Sequence, residues 1–241
     1  MFDPMPIGFL GLKPGDLKGG RAANPKLHTA EELKQRDALV RRLLLNDGGN
    51  YDNFGLEPVW SGRAPRTATA TRPAEMPPVI LVSDGGATFD YVSTRFFFQR
   101  LMRYPAVLGN QVSALRRRWL FAAHDQKWVR ATYWSVGSAP ESYNDNRGGF
   151  RAAAGYSKGF ANDFIAEIRT DLDAFSEGEI AVLENHGYLL ADTAIKRWLP
   201  DLVTVDAALS VPHPEWMDET RAREALKESS KRVLFRKTRP A

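Results

Sequence analysis

The 241-residue chain contains no cysteine, which excludes disulfides, thiolate nucleophiles, iron–sulfur clusters and cysteine-ligated zinc together. Histidine is scarce. His28, His124, His186 and His213 lie far apart and none sits at a metal-ligand spacing such as i, i+4, so no metal site is expected. No apolar run approaches the roughly 18–20 residues of a membrane span. The start, Met1–Leu12, is apolar but has two prolines and no basic segment, and reads poorly as a signal peptide. Neither sign of charge dominates: 33 basic residues stand against 29 acids, a net charge of +4, which is too small to argue for nucleic acid. The remaining composition, 43% hydrophobic and 26% charged, is that of an ordinary globular chain, expected in the cytoplasm.

Residues 1–26 are dense in glycine and proline and cannot sustain a helix or a central strand. Thr29 and Glu32 make a capping-box pair that opens a helix over about 30–39. The run Arg41–Leu45 is short, apolar and closed by Asn46-Asp47-Gly48-Gly49. Val79–Val82 repeats that layout and is closed by Ser83-Asp84-Gly85-Gly86. Both runs read as strands buried on two faces, as in a parallel α/β sheet. Between them, residues 61–78 read as an exposed loop. A long helical region over about 93–123 is expected to break at Tyr104-Pro105. Lys127–Val136 alternates and is aromatic, which predicts a third strand. Residues 137–154 are irregular in composition. Phe160, Phe164, Ile168 and Leu172 fall at helical spacing. Ser176 and Glu179 form a second capping box, starting a helix through about Trp198 that stops before Pro200. The tail, 216–239, reads as a charged helix of mixed sign.

Three motifs bear on chemistry. Gly155-Tyr156-Ser157-Lys158-Gly159 matches G-x-S-x-G, the elbow that raises a nucleophilic serine above a helix. The residues before it, Gly148–Ala154, have no buried-strand pattern, so the segment reads as a loop-to-helix junction. Arg116-Arg117-Arg118 could meet phosphate or an anionic membrane surface, but consecutive helical residues point about 100° apart; the default is a solvated face. Asp-Gly alone marks a common turn. The sequel to Asp47 raises it further, because a buried strand delivers the carboxylate to the carboxyl end of a sheet, where α/β ligand sites lie. Gly48 and Gly49 can take conformations closed to other residues, and Asn50 and Asn53 can tie the loop to its own backbone.

Asp47-Gly48-Gly49-Asn50-Tyr51-Asp52-Asn53-Phe54-Gly55-Leu56-Glu57 resembles the D-G-G-x-Y-D-N-x-G-L-E run of patatin-like phospholipases. Further elements are similar: Val82–Ala87, the helix Asn110–Leu120 with its three arginines, Tyr133-Trp134, and Asn185-His186-Gly187-Tyr188 through Asp192. The similarity covers roughly residues 40–200, strong near Asp47 and diffuse elsewhere. It implies a three-layer αβα sheet, incomplete at its N-terminal side. The expected organisation is an irregular segment over 1–28, a partial patatin-like α/β domain over 29–200, and a linker with a charged helix over 201–241.

The resemblance implies a Ser–Asp dyad in which Asp47 is catalytic and Gly48, Gly49 and Asn53 form its loop, with no cofactor and no metal. The family places its glycine-rich oxyanion loop and its serine before the aspartate, yet only 46 residues precede Asp47 and they contain neither. Ser157 lies on the wrong side in chain order and is not carried over as nucleophile; Asp84 reads as a strand-end residue. The expected protein is therefore the C-terminal part of a lipid acyl hydrolase, nearly inert alone. Its substrate would be a lipid or other ester, taken once an upstream nucleophile segment complements it. Peripheral membrane contact is expected and nucleic acid is not. The alternative is a non-catalytic lipid- or protein-binding remnant of the same fold.

Overall fold

A computed structural model describes residues 11–12, 43–44, 49–67, 69, 74–86, 97–145, 149–168, 174–204, 208–227 and 229. The expected helix over 30–39 and the tail beyond 229 lie outside them. The chain divides into two compact units, one of residues 2–53 and 95–112, the other chiefly of residues 54–94 and 113–241.

In the first unit, β1 (Gly11–Leu12) pairs antiparallel with β2 (Leu43–Leu44), Gly11 opposite Leu44. This corrects the expectation that Arg41–Leu45 joins a parallel sheet. An apolar run specifies burial but not a partner, and the partner here comes from the glycine- and proline-rich N-terminal segment. A single helical turn, α1 (Gly49–Asp52), follows.

The second unit opens with another short turn, α2 (Leu56–Val59). Its N-cap, Gly55, sits at φ 62°, the left-handed region that glycine enters without a Cβ penalty. The expected loop over 61–78 is irregular throughout its described part, apart from one bridge residue. β3 (Val79–Asp84) then pairs in parallel with β4 (Arg130–Ser135), Val79 opposite Arg130 and Asp84 opposite Ser135. The connection is α3 (Phe97–Asp125), whose residues are shared between the two units. The helix runs through Pro105 unbroken, against the expected break. Proline removes one ladder hydrogen bond, at a cost of about 3 kcal/mol, and a helix of 29 residues carries that loss without ending.

The two faces of the parallel pair are covered unequally. Ile80, Val82 and Ala131 pack on Leu120 and Ala123 from the C-terminal part of α3, with Leu56, Trp60 and Val129 completing the cluster. On the opposite face, Trp134 packs on Leu190 and Ala194 of α5 (Glu177–Trp198). Val79 and Leu81 point to that same side but remain 43% and 46% exposed. The protein is thus a mixed α/β structure with a small two-stranded parallel sheet packed against helices.

A third cluster joins the C-terminal elements. The short helix α4 (Lys158–Phe160) passes directly into a π turn, Ala161–Ile165. Phe160 and Ile165 pack on Ala181 and Val182 of α5 and on Ala222 and Leu226 of α6 (Glu219–Leu226). The capping box expected at Ser176 and Glu179 is present in both directions. The Ser176 hydroxyl accepts from the Glu179 amide at 3.3 Å, and the Glu179 carboxylate accepts from the Ser176 amide at 2.6 Å. Its carboxylate is buried and also accepts from the Ser229 hydroxyl. Leu199 and Pro200 end α5 as expected. The charged tail is helical over eight residues of its described part, Glu219–Leu226, where Asp218 caps it by accepting from the amides of Thr220 and Arg221.

Candidate functional site

Asp47 and Gly48 lie outside the described residues. Gly49 opens α1, and Asn53 is exposed beyond its end. Among the described residues, the Asn53 side chain makes no hydrogen bond to the loop backbone. The loop's far end is fixed in another way. Leu56 is 1% exposed within the sheet cluster, and the Phe54 ring meets the Tyr133 ring edge-on at 5.7 Å.

Tyr133 stands near the carboxyl end of the parallel pair, where α/β proteins gather their ligands. Its hydroxyl donates to Asp84 Oδ2 at 2.7 Å. Asp84 Oδ1 accepts the Gly86 amide at 3.0 Å, an Asx-type closure of the second Asp-Gly-Gly turn. The Arg117 guanidinium lies over the Tyr133 ring at 5.4 Å and reaches its hydroxyl at 3.4 Å. Burial, and then the bond and charge of Asp84, push the Tyr133 phenol up to about 12, with Arg117 opposing. A phenol held in that way remains protonated at neutral pH and acts as a donor, not a base. Asp84 is the strand-end residue that the sequence suggests; its tyrosine partner was not foreseen. The signal available for it was an aromatic residue within the alternating run before Ser135, but the register that brings Tyr133 beside Asp84 is a tertiary fact.

The G-x-S-x-G segment is not an elbow. No strand precedes it: residues 149–157 form no helix or strand. The Ser157 hydroxyl caps α4, accepting from the Phe160 amide at 3.3 Å, and donates to Glu219 Oε2 at 3.0 Å. The amide of Ser157 donates to Glu219 Oε1 at 2.6 Å, and the next amide, Lys158, donates to Glu141 at 3.0 Å. Two carboxylates therefore occupy the space where an oxyanion would need donors. Gly155 serves packing instead, since a Cβ there would lie 2.6 Å from Pro140.

The arginine triplet also acts locally. Arg116 donates to Glu57 at 2.6 Å and lies over Trp119, Arg117 turns to Tyr133, and Arg118 is exposed. A shallow depression of about 690 Å³ is lined by Glu57, Ser61, Leu115, Arg116 and Trp119. Its acid is already paired with its base, and Ser61 accepts from Arg63 at 3.1 Å, so it presents no nucleophile–base pair.

His186 is buried, with Nε2 bonded to the Val136 carbonyl at 2.9 Å and Nδ1 without a partner among the described residues. Burial lowers its pKa, which favours the neutral ring. His124 Nδ1 accepts the Ala131 amide at 3.1 Å, and His213 bonds Glu184 at 2.6 Å. Among the described residues, no three His, Asp or Glu side chains converge as a metal site, and no helix is long and apolar enough to cross a membrane. No family model matches the chain, and no curated protein or solved structure matches it.

Proposed function

We propose that this chain is the aspartate-bearing C-terminal part of a patatin-like lipid acyl hydrolase, with the three-layer αβα architecture of that family. The observation that carries the reading is the eleven-residue run Asp47–Glu57. A parallel strand pair with a helix on each face is compatible with it. In the dyad so implied, a serine hydroxyl from an upstream segment attacks the ester carbonyl while the Asp47 carboxylate accepts its proton. Backbone amides hold the oxyanion, the C–O bond breaks, and the alcohol leaves with a proton. Water then attacks the acyl-serine by the same route, releasing the fatty acid. On this reading Gly48 and Gly49 belong to the turn that presents the carboxylate.

Without a nucleophile the chain has little activity, since loss of the serine in such a site costs on the order of a millionfold in kcat. The test is complementation. Co-expression with a segment carrying a glycine-rich loop and a G-x-S-x-G serine should yield hydrolysis of a p-nitrophenyl ester, abolished by Asp47→Asn. A stable complex without hydrolysis, or hydrolysis indifferent to Asp47→Asn, would overturn the reading. The alternative of a non-catalytic lipid- or protein-binding remnant, in peripheral contact with a membrane, draws no support from Arg116 and Arg117, whose guanidinium groups are directed to Glu57 and Tyr133.

A further inference from the structure

The long helix α3 has two apolar sides. One is used: Leu120 and Ala123 are buried against Ile80, Val82 and Ala131 of the parallel pair. The other faces solvent. Tyr104, Leu108, Gln111, Leu115, Arg118 and Ala122 follow one another at alternating spacings of four and three. All six are exposed, Tyr104 by 62%, Leu108 by 47% and Leu115 by 58%. At about 100° per residue these positions fall on one line along a single continuous helix. Val107 and Phe121, also exposed, widen the stripe on one flank. A helix lying on a core ordinarily turns a polar side to water. Alternating steps of four and three are instead the seam of a helix pair, and the sequence continues them back to Leu101 and Phe97.

We propose that this side of α3 is a self-association surface whose occupant is α3 of a second copy, antiparallel across a two-fold axis. A heptad stripe fits another of the same repeat, and a two-fold axis lets one patch serve both partners. Parallel pairing would set Arg118 against the partner's Arg118 and align two helix dipoles. Antiparallel pairing centred near Gln111 separates the arginines and opposes the dipoles. It also brings Arg118 within about one turn of the partner's Tyr104, so that a guanidinium meets an exposed aromatic ring. Gln111 supplies the single polar residue that fixes register in such seams. From Tyr104 to Ala122 the stripe runs about 27 Å, a contact suited to a reversible dimer. The proposal is independent of the hydrolase reading.

Sedimentation velocity of the full chain should show a concentration-dependent dimer. Leu108→Glu and Leu115→Glu, both at exposed positions, should each weaken it at least about tenfold while keeping the circular dichroism of the unmodified protein. Either variant carries the test should the other fail to fold. Leu81→Lys, on β3, should leave the dimer in place. Because the chain has no cysteine, one introduced thiol reports orientation by itself. Ala122→Cys should form no interchain disulfide on oxidation, since antiparallel copies hold the two positions roughly 30 Å apart. A monomer at about 100 µM, a dimer indifferent to both glutamates, or an Ala122→Cys disulfide overturns the proposal. A monomer that sediments with anionic vesicles would overturn it too, and would give the stripe to a membrane surface.

Discussion

Ser157 and Glu219 are clasped by two hydrogen bonds: the serine's amide and its hydroxyl donate to the two oxygens of one carboxylate, at 2.6 and 3.0 Å. The pair joins the start of α4 to the first residue of α6, 62 positions later in the chain. A serine used in that way is a fastener.

Ser157→Ala should therefore lower stability by about 1–2 kcal/mol, through loss of a helix cap and a charge-assisted bond. Urea denaturation would measure it. The unmodified chain should form no fluorophosphonate adduct above background. Labelling that Ser157→Ala removes would restore the serine as a nucleophile.

Two glycines with positive φ should respond differently to alanine. At Gly62, φ is 78° and a Cβ would lie 2.3 Å from the Trp119 ring, which is itself stacked on Trp60 at 4.5 Å. At Gly55, φ is 62° and the space is open. Gly55→Ala should cost about 1 kcal/mol from backbone conformation alone. Gly62→Ala should cost about 1–3 kcal/mol beyond that, because the stacked indoles must shift, with altered tryptophan emission. Equal losses in the two variants would show that the Trp119 contact is soft.

Stability should fall on mild acidification because of His186. Burial holds its folded pKa below the ordinary 6.5, so the unfolded chain binds the proton more readily. The contribution is complete above about 6.5 and is lost as pH falls from there to the folded value. Comparing unfolding free energies between pH 7.5 and 5.5 should show a decline that His186→Gln reduces. An identical slope in both proteins would assign the decline elsewhere.

Among the described residues β3 pairs with β4 alone, and its other edge, with Val79 and Leu81 exposed beside it, should promote association between copies of the chain. Light scattering after size exclusion should show concentration-dependent oligomers that Leu81→Lys diminishes. A monodisperse monomer with the native leucine would contradict this.

What could be read from the sequence was whatever local chemistry decides. The Val79–Val82 run, the alternation across Lys127–Val136 and the capping pair Ser176/Glu179 each specify their element within a few residues, and each is present. Partners were not legible. Nothing near Leu43 indicates Gly11–Leu12 as its neighbour, and Pro105 signals a break that the long helix overrides. The same holds around Tyr156, whose buried hydroxyl donates to the Trp216 carbonyl 60 residues away, and around Asn185, whose side chain both donates to and accepts from the His213 backbone. For the candidate site, the Asp47 run was conspicuous as a string of residues. The Tyr133–Asp84 bond depends on strand register and could be found only in three dimensions.

Glu179 has a consequence for anyone who shortens this protein. Its carboxylate sits inside the molecule and accepts from the Ser176 amide and from the hydroxyl of Ser229, which comes from beyond α6. Cutting the chain just after Leu226 would remove the Ser229 hydroxyl from a buried carboxylate at the opening turn of α5, leaving the charge less well satisfied. A variant trimmed there should carry Glu179→Gln as compensation, and a fusion partner attached there would inherit the same fault.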